Sequence, residues 1–76
     1  MYWVIIVEIN SKIGERIKES GLKDSYIAEK IGGVSQKTIY NWRKGLSYPT
    51  FEKAFILAKI LNCKVDDLAE ILEEEK

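Results

Sequence analysis

Much chemistry is excluded by residues the sequence lacks. Its 76 residues include no histidine and one cysteine, Cys63, so the commonest general acid–base group and the usual zinc-ligand sets are missing. No acid–base pair and no phosphate-cradling glycine loop stands in their place. The reading is therefore of a chain that is not an enzyme and needs no cofactor, metal or small-molecule substrate. The residues that do offer chemistry lie between Ser35 and Lys44. On a helix, at about 100° per residue, Gln36, Lys37, Tyr40, Asn41 and Lys44 share a sector of about 140°. Ser35, Ile39 and Trp42 fall on the other side. Two amides can pair bidentately with adenine, a lysine can donate to guanine, and a tyrosine can reach a phosphate or a thymine methyl. The face holds no acid, whereas a helix face made only for water usually mixes Glu with Lys. Chemistry alone leaves two readings of it: a surface that reads a duplex, or a short solvated face.

The elements that must position this helix are marked by Gly21, Gly32-Gly33, Gly45 and Pro49. Ile9, Ile13 and Ile17 predict a first helix, capped by Asn10 or Ser11 and ending near Ser20-Gly21. Gly14 should weaken it by about 1 kcal/mol relative to alanine. A short second helix runs from Asp24 to Ile31, with Ile27, Ala28 and Ile31 on one face. Ser35 is a good N-cap for the third, which stops at Gly45. Thr50 caps a fourth, with Phe51, Ala54, Phe55, Leu57, Ala58 and Leu61 as its apolar set and Asn62 ending it in a left-handed conformation. Val65, Leu68, Ala69 and Leu72 predict a fifth. The expected fold class is all-α: a compact five-helix bundle in which Ile39 and Trp42 pack on Ala28 and Ile31.

Tyr2 to Val7 breaks the pattern, being aromatic and β-branched like a strand. An all-helical domain offers it no partner, so one reading pairs it with its copy on a second subunit. The other extends the first helix forward, since Ile6, Ile9, Ile13 and Ile17 also fit helical spacing. Either way, so much apolar surface on a small domain points to an interface. The organisation expected is an apolar segment at 1–8, a domain at 9–72 and an acidic tail at 73–76.

The longest apolar run, Met1 to Val7, is far short of the roughly 20 residues of a membrane helix and lacks the flanks of a signal peptide. A free thiol suits a reducing cytoplasm, the expected location. The formal net charge is zero, but it is split. Asp66, Asp67, Glu70, Glu73, Glu74 and Glu75 crowd the last eleven residues, leaving 11 basic against 6 acidic residues over 1–65. From Val34 to Thr50 there are Lys37, Arg43 and Lys44 and no acid.

The stretch Gly21-Leu22…Ile27-Ala28-Glu29-Lys30-Ile31-Gly32, followed by Val34-Ser35…Thr38-Ile39…Trp42…Lys44-Gly45, resembles a helix-turn-helix of the lambda-repressor/Cro type, also called the xenobiotic-response-element family. Pro49-Thr50-Phe51-Glu52…Leu57-Ala58-Lys59…Leu61-Asn62…Val65-Asp66-Asp67-Leu68 is similar to that family's fourth and fifth helices. The resemblance covers most of Ile9 to Leu72. It implies a DNA-binding domain whose second motif helix enters the major groove of double-stranded DNA. Position by position, it makes Gln36, Lys37, Tyr40 and Asn41 the base readers, and Lys23, Thr38, Lys44, Ser47 and Tyr48 the phosphate contacts. Ile39 and Trp42 stay in the core.

Three positions depart from the family pattern. Asp24 stands where members often carry a phosphate-binding glutamine, so it either caps the helix or marks a second helix set back from DNA. The turn Gly32-Gly33-Val34 is one residue longer than the usual pattern, which would tilt the third helix. Lys23 and Lys64 replace hydroxyl caps. The function implied is that of a small sequence-specific transcriptional regulator, a repressor, acting as a homodimer. The alternative is a protein-interaction module with a degenerate helix-turn-helix, for example within a toxin–antitoxin or phage regulatory complex.

Overall fold

Each helix begins and ends where a side chain or a turn satisfies backbone groups that the helix itself cannot. The computed structural model describes residues 5–75, with side chains over 9–70. The elements run β1 (Ile5–Ser11), α1 (Ile13–Ser20), α2 (Asp24–Ile31), α3 (Gln36–Lys44), α4 (Phe51–Ile60), a 3-10 turn (Val65–Leu68) and β2 (Ala69–Glu75). The Ser35 hydroxyl accepts the Thr38 N–H at 3.1 Å to open α3, and the Thr50 hydroxyl accepts the Lys53 N–H at 3.4 Å to open α4. Asn62, at φ 56°, turns the chain out of α4, and the Cys63 N–H then reaches the Ala58 carbonyl at 2.9 Å.

Two expectations are corrected. The described residues form four helices, and the predicted fifth is replaced by one 3-10 turn followed by a strand. In that turn the Lys64 N–H donates to the Asp67 carboxylate at 3.0 Å, and Leu68 closes the core. Continuing as a helix would set Glu70 beside Glu73 and Glu74 at repulsive i,i+3 and i,i+4 spacings; the extended chain spreads them along a ladder. That ladder is antiparallel, from Ser11 opposite Ala69 to Ile5 opposite Glu75. The N-terminal segment is therefore a strand rather than a forward extension of the first helix, and its partner lies in its own chain rather than only in a second copy. Tyr2, Trp3 and Val4 of that segment, and Lys76 of the acidic tail, lie outside the described residues.

The core is Ile13, Ile17, Ile27, Ala28, Ile39, Trp42, Leu57, Ala58 and Leu68. Phe51 and Phe55, assigned above to the apolar set of the fourth helix, are instead 81% and 52% exposed. Ala54, Leu57, Ala58 and Leu61 make the inward stripe, and the two phenylalanines sit about 70–110° around the helix from it. Their rings meet edge to face, 4.9 Å between centroids. Among the described residues no helix is long and apolar enough to cross a membrane.

Candidate nucleic-acid interface

Helix α3 is held from three sides. Ile39, fully buried, and Trp42 anchor its inner face in the cluster that contains Ile27 and Ala28. Ahead of it, Gly32 (φ 78°, ψ 145°) and Gly33 (φ 71°) take conformations that a Cβ disfavours, so the longer turn is built on this pair. Behind it, Gly14 of α1 approaches so closely that a Cβ there would lie 2.6 Å from the Arg43 carbonyl oxygen.

A further hold is ionic. Arg43 donates to Asp24 through a two-pronged fork, Nε to Oδ1 at 3.3 Å and Nη2 to Oδ2 at 3.0 Å. The Asp24 side chain is only 17% exposed, and parallel guanidinium–carboxylate bonds of this kind are directional. Asp24 therefore caps nothing: it ties the first turn of α2 to the last turn of α3, and its charge is met by an arginine. Arg43 was not among the residues singled out above. The signal was present, because Arg43 falls between the outer sector and the Ile39/Trp42 side, where an arginine can reach a neighbouring helix.

On the outer face, Gln36, Lys37, Tyr40 and Lys44 are exposed, while Asn41 and Thr38 are half-buried. The Thr38 hydroxyl shares a 3.0 Å hydrogen bond with that of Ser35, which ties it to the helix start. Tyr40 gathers three cations: Arg43 Cζ lies 5.1 Å from its ring centroid, Lys37 Nζ 5.3 Å and Lys44 Nζ 5.8 Å. Cations over a ring face are attracted by its quadrupole, and two of these also sit at the negative end of the helix dipole. Positive charge is thus concentrated on the outer half of α3 by an aromatic hub that sequence spacing did not reveal. Lys23, exposed, comes beside this region because the Asp24–Arg43 fork brings the start of α2 there. Ser47 and Tyr48 are exposed in the following loop, but Tyr48 lines an apolar hollow with Ile9, Pro49 and Ala54, away from the cluster on α3.

Cys63 is half-buried against the core. Desolvation, then the Asp67 carboxylate, push its thiol above the ordinary value, and Arg16 opposes them. A thiol held protonated is a poor nucleophile. Among the described residues no group of three His, Cys, Asp or Glu is placed to hold a metal ion.

An acid-free, cation-rich helix face, presented by a two-helix unit joined through a two-glycine turn, is an arrangement suited to a polyanion. Neither a curated protein nor a solved structure matches the chain. A helix-turn-helix family model matches residues 13–68, from the first residue of α1 to the last of the 3-10 turn. The chain accordingly belongs to the helix-turn-helix family of the lambda-repressor/Cro type, a family of DNA-binding domains.

Proposed function

We propose that the protein is a sequence-specific transcriptional repressor that binds double-stranded DNA as a homodimer, with α3 in the major groove. Gln36, Lys37, Tyr40 and Asn41 read base edges. Lys23, Thr38, Lys44, Ser47 and Tyr48 hold the backbone, Thr38 through whatever hydrogen-bonding capacity its bond to Ser35 leaves. The reading is carried by one observation: the face of α3 offers amides and cations, and the carboxylate that opens α2, Asp24, is engaged by Arg43. A bare anion at the start of α2 would repel phosphates; a paired one does not. Dimerisation follows from the size of the interface, since one such domain covers little DNA. Two recognition helices about 34 Å apart would read a two-fold site.

Selection of bound duplexes from a random library tests this. The expected product is a palindrome with half-sites one helical turn apart, bound with strong salt dependence. Recovery of no enriched sequence would refute it. A second reading, a protein-interaction module, is favoured by the exposed Leu46 after α3 and by the exposed Phe51–Phe55 pair on α4. Absence of retardation at micromolar protein and low salt would support that reading instead.

A further inference from the structure

A strand has two edges, and among the described residues β1 and β2 each use only one, because the sheet is two-stranded. Lone two-stranded ribbons are marginally stable in water. This one projects from the helical domain: the Cα radius of gyration is 14.0 Å and the longest dimension 50 Å, whereas a compact chain of this length would have a radius of about 11 Å.

The two free edges differ in kind. β2 carries Glu70, Glu73, Glu74 and Glu75, the sort of charge that blunts an edge against further pairing. β1 carries one acid, Glu8, among Ile5, Ile6, Val7 and Ile9, and has no lysine or proline. The register sharpens the contrast. Ile5, Ile6 and Val7 stand opposite Glu75, Glu74 and Glu73, and Glu8 opposite Leu72; the pair of large apolar residues, Ile9 with Ile71, comes only nearer the helical domain. Cross-strand apolar pairs are what stabilise a sheet, and the outer half of this one lacks them.

Resting on the dimer reading above, we infer that the partner on the β1 edge is β1 of a second copy, giving a four-stranded antiparallel sheet in the order β2-β1-β1′-β2′. Of the three possible edge pairings this one alone is both attractive and closed. Pairing β2 with β2′ would set four glutamates against four. Pairing β1 with β2′ is head-to-tail and leaves the same two edges free at each end, so it grows into a filament. Pairing β1 with β1′ is isologous about a two-fold axis. With its axis near Val7, it sets Val7 against its own copy and Ile5 against Ile9 of the second copy, and it leaves the acidic strands outermost, where they stop further growth.

The test uses the full chain carrying Cys63→Ser, with single cysteines introduced at Ile5, Ile6 or Val7 in β1, at Glu73 or Glu74 in β2, and at Phe51 on the aromatic patch. Each reduced protein is sedimented and titrated against the selected duplex, then oxidised mildly and run on a non-reducing gel. The expected result is a dimer that becomes covalent through at least one β1 cysteine and through neither β2 cysteine. Val7→Lys, which sets like charges close to the two-fold axis, should raise the dimer dissociation constant by about tenfold or more with the helical circular dichroism unchanged. A monomer at every concentration overturns the inference, and so does a dimer that cross-links through Phe51→Cys or the β2 cysteines but not through β1. Cross-linking elsewhere in a protein that still retards DNA leaves the proposed function standing; cross-linking through β1 without retardation upholds the sheet and removes the function.

Discussion

Gly14→Ala separates a sequence-level expectation from a structural one, because the two differ in sign. Inside an exposed helix the change should stabilise by about 1 kcal/mol, alanine being the better helix former. In the fold, the new Cβ would lie 2.6 Å from the Arg43 carbonyl oxygen, and such contacts do not occur below 3.0 Å, so α1 and α3 must separate by at least 0.4 Å. The obstacle is backbone in the last turn of α3, which cannot swing aside as a side-chain tip would. Overpacking of this kind costs about 1–3 kcal/mol. The propensity gain offsets part of it, leaving a net destabilisation on the order of 1 kcal/mol, or a fall in Tm of about 4–8 °C for a domain of this size. Thermal unfolding should be followed by circular dichroism at one fixed protein concentration, since a dimer's Tm depends on it. A Tm that rises by a comparable amount would refute the close crossing of α1 and α3.

Three further outcomes are expected. Asp24→Ala should cost about 1–2 kcal/mol of stability by stranding the Arg43 guanidinium; a cycle with Arg43→Ala, read by denaturant unfolding, should show the two positions coupled rather than additive. Gln36→Ala should lose about 1–3 kcal/mol of binding to the selected duplex and relax one base position, and a uniform loss across all sequences would reassign it to the backbone. Lys44→Ala should weaken binding to every duplex and flatten the salt dependence by about one unit, with an unchanged slope counting against a phosphate contact.

The helices of the motif were legible because their signals are local. Ser35, Thr50 and Asn62 act within a turn of where they stand, and the spacing of Ile27, Ala28, Ile39 and Trp42 reports a buried face whatever that face meets. The last dozen residues were misread for the converse reason. Val65, Leu68, Ala69 and Leu72 fit helical spacing, but spacing cannot weigh a helix against a strand when the partner of that strand lies some sixty residues earlier in the chain. The exposed phenylalanines illustrate a smaller failure: apolar character grouped them with Ala54, Leu57, Ala58 and Leu61, while their positions around α4 turn them away from the stripe that meets the core.

Residue types and periodicity alone determined a run of short helices with an acid-free outer face on the third, because capping and amphipathicity are properties of a few neighbouring residues; resemblance to the family added the helix-turn-helix. Only the tertiary structure decided that Arg43 neutralises Asp24, that Gly14 sits in a helix crossing, that three cations gather on Tyr40, and that the two ends of the chain pair as a ribbon. The first two and the last depend on which distant segments meet. The gathering on Tyr40 depends on side-chain geometry, which spacing does not specify.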